Sequence, residues 1–280
     1  MRTQHIQYFL NKRPMEIYFF VDPFCSECWS LSPILKKLQI EYGDYFSLKY
    51  VLAGKLSSLN QIKDRTFSCQ KRWQREQGRF KKIMKNYSLE QTPHLAAISI
   101  KAAELQGKKA GIRFIQKLQE LLFIEDKDIS DINVIQQCAK SIGLDLDEFI
   151  HDVYSETAAR AFQCDLKISS EMEVDEMPSM VFFNENIEDE GIKITGLYSY
   201  DIYVQILTEM LQGCPKPADK PPLEVFLSLN PVNATQDLAL IFDLPAHKVE
   251  RQMKKLQVQQ KVQKIGSLHG SYWKYKCNNL

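Results

Sequence analysis

Cys25-Ser26-Glu27-Cys28 is the one close cysteine pair in the sequence, and two thiols at that spacing can carry out thiol–disulfide exchange. The attacking cysteine reacts as a thiolate. A helix N-terminus favours that anion, through unpaired backbone N–H groups and the helix dipole. A second cysteine one turn later is positioned to resolve the mixed disulfide that the first one forms. Glu27 works against this chemistry, because a carboxylate beside Cys25 opposes formation of the thiolate. Trp29 follows directly and is placed to cover the pair. Three uses stay open: an active oxidoreductase pair, a redox-sensing pair, or a retained pair with no catalytic duty. The last is favoured.

The pair must sit on a particular scaffold. Met15 to Val21 is a β-prone run closed by Asp22-Pro23, and the cysteines follow it. After them Leu31, Ile34, Leu35, Leu38 and Tyr42 recur at spacings of three and four, which predicts a helix with one apolar face, ended by Gly43. Phe46 to Leu52 reads as a second strand, completing a β–α–β unit. From about Ser57 to Ser170 the periodicity is helical throughout. Thr92-Pro93 marks one helix start, Ser130 is the expected cap of another, and Asp145 to Ala161 reads as one further helix. Strand signals return with Met180 to Phe183, just after Met177-Pro178, and with Ile192 to Thr195. A helix through Ile202, Ile206 and Met210 follows. Pro215, Pro217, Pro221 and Pro222 then break the pattern as a linker. Beyond it, three short helices and a hairpin (Val258 to Ile265, then Tyr272 to Tyr275) read as a winged helix-turn-helix.

Composition excludes several classes. An apolar share of 44% with 25% charged residues describes a chain that folds around a core, and no apolar run has the length of a membrane span. Met1 to Pro14 lacks the apolar stretch of a secretory signal, and seven scattered cysteines make a poor disulfide framework, so a reducing cytoplasm is expected. Structural zinc normally takes four ligands in close pairs. Cys69, Cys138, Cys164, Cys214 and Cys277 stand alone, as do the histidines, so neither a metal nor a cofactor is expected. From Pro215 onward ten Lys/Arg face five Asp/Glu, although the whole chain carries only +1. Two segments concentrate basic charge. Gln70 to Lys82 carries it around Trp73 and Phe80 and is read as a solvated helix. Ala246 to Val258 carries His247, Lys248, Arg251, Lys254 and Lys255; protein docking is ranked above DNA reading for it, so a nucleic-acid partner is not expected.

Strand, Cys-x-x-Cys, a helix with Pro33 five residues after Cys28, strand, late Pro178 and two further strands together resemble the thioredoxin fold. The long helical block between its halves resembles the DsbA-like branch of that superfamily, over roughly residues 15–214. The resemblance implies that Pro178 is a cis-proline lying beside Cys25 and Cys28. It also sets the expected division of an α/β chain: a thioredoxin-like core over 1–56 and 171–214, a helical insertion over 57–170, a linker over 215–222, and a small winged-helix-like domain over 223–280. The order Phe20-Val21-Asp22-Pro23-Phe24-Cys25-Ser26-Glu27-Cys28-Trp29, then Leu38-Gln39-Ile40-Glu41-Tyr42-Gly43, then this body and its appendage, resembles the YjbH (SpxH) family of Gram-positive bacteria. That resemblance implies a cytosolic adaptor for the ClpXP protease. Its partner is the transcription factor Spx, and delivery to ClpX/ClpXP requires no chemistry of the chain itself. A cytosolic thiol–disulfide oxidoreductase using Cys25 and Cys28 is the alternative, and a DNA-binding regulator the third possibility.

Overall fold

A computed structural model of the chain describes residues 13–53, 93–186, 188–267 and 270–276. Thr92, the basic stretch Gln70 to Lys82, Cys69 and Cys277 lie outside the described residues.

Four strands form the first sheet: β1 (Met15–Val21), β2 (Phe46–Leu52), β3 (Ser179–Asn184) and β4 (Ile192–Thr195), in the order β2-β1-β3-β4. β1 runs parallel to β2, with Met15 opposite Phe46, and antiparallel to β3, with Ile17 opposite Phe182. The parallel pair is joined through helix α1 (Ser26–Tyr42), as a β–α–β crossover requires. Side chains alternate between the two faces with the strand period of two. Met15, Ile17, Phe19 and Val21 join Met180 and Phe182 in the main core, whereas Phe20, Val51, Ala53 and Val181 face the other way, under Ile168 and Met172.

A block of helices joins the main core on the first of these faces: α2 (Pro93–Leu105), α3 (Lys108–Phe123), α4 (Ile132–Ser141), α5 (Leu146–Val153) and α6 (Glu156–Glu171). Phe114, Leu118, Ile135 and Phe149 are buried together with the strand residues, so sheet and helices share one interior. α7 (Tyr200–Met210) completes that layer through Tyr203, Ile206 and Leu207.

Two local expectations are corrected. Asp131, not Ser130, caps α4. Its carboxylate accepts from the Asn133 N–H at 2.8 Å, while the Ser130 hydroxyl is spent on Asp128. The segment from Asp145 to Ala161 is two helices, because Ser155 turns its hydroxyl onto the Ala158 N–H and starts a new one after Tyr154. Gly43 does end α1, but in an ordinary right-handed conformation (φ −62°). Glycine is needed there for space, since a Cβ would lie 2.2 Å from the Gln39 carbonyl oxygen.

After the prolines, α8 (Leu223–Leu229), β5 (Val232–Ala234), α9 (Thr235–Phe242), α10 (Ala246–Val258), β6 (Val262–Ser267) and β7 (Gly270–Tyr275) follow in that order. β5 was not visible in the sequence. It pairs with β7 to give a second sheet, β5-β7-β6, and α10 runs to Val258 before β6 begins. Trp273, fully buried, centres a separate core with Phe226, Leu238, Ile241, Val249 and Met253. This C-terminal unit sits on α1. Ile40 enters its core, and Lys37 reaches Asp243 at 2.5 Å. Lys220, from the proline-rich segment, bridges Asp243 and Glu41, while the Tyr200 hydroxyl donates to Glu41.

Two of these contacts set stability. Asp165 on α6 accepts from the Leu52 backbone N–H at 2.8 Å and pairs with Lys101 on α2 at 2.6 Å, all within the interior. Asp165→Ala leaves a buried ammonium and a strand N–H without their acceptor, and is expected to cost about 3 kcal/mol by urea unfolding. Asp243 is pushed up by partial desolvation, but hydrogen bonds from Lys220 and Lys37 outweigh this and hold its carboxyl below the ordinary 3.8. A carboxylate with a depressed folded pKa stabilises above its unfolded pKa, and that contribution disappears as pH falls through the folded value. The stability lost in Asp243→Asn is expected to be about 1 kcal/mol at pH 7, discounted for the exposure of Asp243, and to shrink toward zero below pH ~3.8 in parallel unfolding curves.

Candidate functional site

β1 ends at Val21, and Asp22 organises the turn that follows. Its carboxylate accepts from the Phe24 N–H at 2.9 Å and its carbonyl from the Cys25 N–H at 3.0 Å. That turn sets Cys25 as the N-cap of α1, in extended conformation, and its sulfur accepts the Cys28 N–H at 3.3 Å. Cys25 therefore occupies the place a serine or aspartate cap would take. Across the site, the Met177–Pro178 peptide bond is cis, and the Met177 carbonyl receives the Cys25 thiol at 3.8 Å. The sequence separation of 152 residues between these two partners is closed by the β1–β3 pairing.

The two thiols are free, and they are unequal. Cys25 is half-buried, whereas Cys28 is only 2% exposed. Burial pushes the Cys28 thiol well above its ordinary range, and its hydrogen bond and charge interaction with Cys25 push it further in the same direction. Asp22 also acts on Cys28, its backbone hydrogen bond lowering the thiol pKa and its negative charge raising it. Glu27 lies in the first turn of α1, where its charge suits the helix dipole.

Trp29 does more than shade the pair. Its ring stands 6.0 Å from that of Phe123, and its amide donates to the Cys25 carbonyl at 3.2 Å. Trp29, Lys36 and Ile40 share the face of α1 turned away from the Leu31–Leu35–Leu38 stripe. Burial lowers the Lys36 ammonium pKa, and the Asp237 and Glu120 carboxylates partly offset this. Sequence reasoning missed this second face. The signal was present in Trp29 and Ile40, two large apolar residues seated off the apolar stripe.

On the far side of Pro178, the Gly196 N–H donates to the Pro178 carbonyl at 2.8 Å. At φ +96° Gly196 holds a conformation that other residues resist. It presents Leu197 and Tyr198 outward, with Ile202 one turn along α7, each more than a third exposed. Of the remaining cysteines described, Cys138 is a core residue whose thiol points at the Phe114 carbonyl, and Cys164 and Cys214 are exposed singles. Among the described residues no group of three or more His, Cys, Asp or Glu is arranged to hold a metal ion, and no helix is long and apolar enough to cross a membrane.

A thioredoxin family model matches residues 18–205. The chain is 44% identical to the ClpXP adapter protein SpxH of Bacillus subtilis, over 97% of this chain and 94% of that protein. It is 42% identical to SpxH of Bacillus licheniformis, over 94% and 89% respectively. This chain belongs to the SpxH family. Among solved structures it is similar to a putative protein disulfide isomerase from Nitrosomonas europaea, with a TM-score of 0.55 and 17% identity over 71% of this chain and 98% of that one. A probable DsbA oxidoreductase from Streptomyces coelicolor gives 0.53 and 12%, over 75% and 92%. At such identities these likenesses establish the DsbA-like thioredoxin fold and nothing about activity.

The asymmetry of the pair has a direct readout. With the reduced protein at pH 8, iodoacetamide is expected to label Cys25 at least roughly tenfold faster than Cys28, by peptide mass spectrometry, with the difference vanishing in denaturant.

Proposed function

We propose that this chain is an adapter that binds Spx in the cytoplasm and promotes its degradation by ClpXP, with no catalytic step of its own. The carrying observation is the near full-length identity, 40–44%, to proteins named ClpXP adapter protein SpxH. The architecture supports the reading. One face of the dithiol helix is sunk in the main core and the other carries a second folded unit, so the chain offers the extended surface of two joined bodies. Residues 1–56 and 171–214 serve as the thioredoxin-like core, 57–170 as the insertion, 215–222 as the linker, and 223–280 as a winged-helix-like docking domain. The basic face of α10, with His247, Lys248, Arg251, Lys254 and Lys255 all exposed, belongs to that docking domain.

An adapter that merely bound folded substrate would protect it. Acceleration requires a bias toward a state with the degradation tag exposed, or a raised local concentration at the protease. Thiol–disulfide exchange is the second reading. The observation that favours it is Cys25, an accessible thiol at a helix N-terminus beside Pro178.

Degradation of purified Spx by purified ClpXP separates the two. Adding this protein is expected to raise the rate roughly fivefold or more, the lower bound of a typical coupling energy. The variant with Cys25→Ala and Cys28→Ala together is expected to keep that acceleration. No acceleration by the intact protein ends the adapter reading, whereas loss of acceleration in the double variant alone moves the function to the sulfur chemistry.

A further inference from the structure

The residues that follow α9 are strongly basic. From Pro245 onward eight Lys/Arg face a single acid, Glu250. Glu250 is itself answered by Lys254, at 3.0 Å one turn along α10. Val249, Met253 and Leu256 turn α10 onto its own core, whereas His247, Lys248, Arg251, Gln252, Lys254 and Lys255 are all exposed. The seat on α1 is made by α9, Asp243 and Ile40, which leaves this outer face of α10 open.

The helical period fixes where the cations stand. Arg251 lies at the crest, opposite the buried stripe, with His247 one turn before it. Lys248 and Lys255 line one flank, and Lys254 lines the other. β6 packs against α10 and adds Lys264, two residues past the buried Val262 and 5.5 Å from the centre of the Trp273 ring. A turn of three residues, Asp243 to Pro245, joins α9 to α10, so the pair is a helix-turn-helix whose second helix carries the charge.

We propose that the outer face of α10, with Lys264 beside it, binds duplex DNA, α10 entering the major groove. That groove, about 12 Å wide, admits one helix and places a wall of phosphates on each side of it. Lys248 and Lys255 then meet one wall and Lys254 the other. Arg251 faces the base edges, where its planar fork matches the two acceptors of guanine. An acidic peptide laid along the helix would answer one flank and leave the other unanswered. Charge content alone favours protein docking for this segment; the placement of the charge around the helix favours a duplex.

Full-length protein is titrated into a fluorescein-labelled duplex of mixed sequence, with anisotropy read at two salt concentrations. Binding is expected at about 50 mM salt and is expected to weaken about tenfold or more at about 200 mM, the fall that counterion release from two phosphates gives. The variant with Lys248→Ala and Lys255→Ala together is expected to bind more weakly and to lower the log–log salt slope by about two. Arg251→Ala is expected to weaken binding about fivefold or more. No binding at the lower salt, or binding that ignores salt, overturns the proposal. So does unchanged binding in the double-lysine variant, which places the contact elsewhere on the chain. Poly-glutamate of matched charge that competes as well as unlabelled duplex overturns it in favour of an acidic protein. That competition needs only the wild type, so it decides the matter even where a variant fails to fold. Neither Spx nor protease enters these measurements, so they stand apart from the adapter reading.

Discussion

Helix α1 has to satisfy two interiors at once, and the rest of the molecule is arranged around that demand. Leu31, Leu35, Leu38 and Tyr42 are committed to the main core, while Lys36, Lys37, Ile40 and Glu41 face the C-terminal unit and the segment leading to it. A helix on the surface of a domain normally turns a polar face to water. Here the polar face is itself an interface, which is why two lysines and a glutamate sit where solvent would be expected. Lys37 and Glu41 are nearly as buried as their apolar neighbours.

Charges in that position are a costly way to hold two bodies together. Desolvating Lys37 and Glu41 consumes much of what their attraction to Asp243 and Lys220 returns, and an apolar seam of the same size would hold at least as well. Directionality is what the charges add. Asp243 adopts a left-handed conformation at the end of α9, and it receives one lysine from α1 and another from the proline-rich segment. Glu41 accepts from Lys220 and from Tyr200 on α7, and the Lys37 ammonium lies 4.2 Å from the centre of the Tyr200 ring. A rotation or slide of the C-terminal unit would leave several of these groups buried and unpaired, so the network selects one seating among the many that Ile40 alone would permit. Hydrogen bonds from the Ala218 N–H to the Glu41 carbonyl and from the Lys216 N–H to the Tyr45 hydroxyl draw the connecting segment into the same seam.

Much of this was legible in the sequence, for identifiable reasons. The inner stripe of α1 is a helical periodicity with nothing to compete with it, and β1 and β2 flank it at the right distance, so the dithiol could be placed on a β–α–β unit from residue types alone. Pro178 could be marked, but only a resemblance put it beside the cysteines, because no local rule joins Cys25 to the preceding Met177, 152 residues away. Where the sequence misled, a stronger local competitor was at work. Asp131 outranks Ser130 as a cap because Asp128 already holds the serine hydroxyl. Asp145 to Ala161 looks continuous because apolar spacing carries across the break, and only the Ser155 cap reveals it. β5 is three residues long and exists because β7 is there to pair with it. The outer face of α1 is the larger omission. Lysine and glutamate on a helix read as solvent-facing until a partner surface is known, and no periodicity states that a second core lies opposite.

The same constraint bears on what a redox scaffold becomes when it is used for binding. Exchange chemistry asks for a thiol that external disulfides can reach, a second thiol that can be deprotonated to resolve the intermediate, and freedom in the first helical turn to alternate between two geometries. Cys25 meets the first requirement. Cys28, buried and pushed up by that burial and by Cys25, meets the second poorly. The third is limited by the residue after Cys28, since Trp29 packs on Phe123 in the main core. A chain on this fold can retain both cysteines as a well-packed cap and an inner core residue, and their presence follows from the architecture of α1 as directly as from any need for electron transfer.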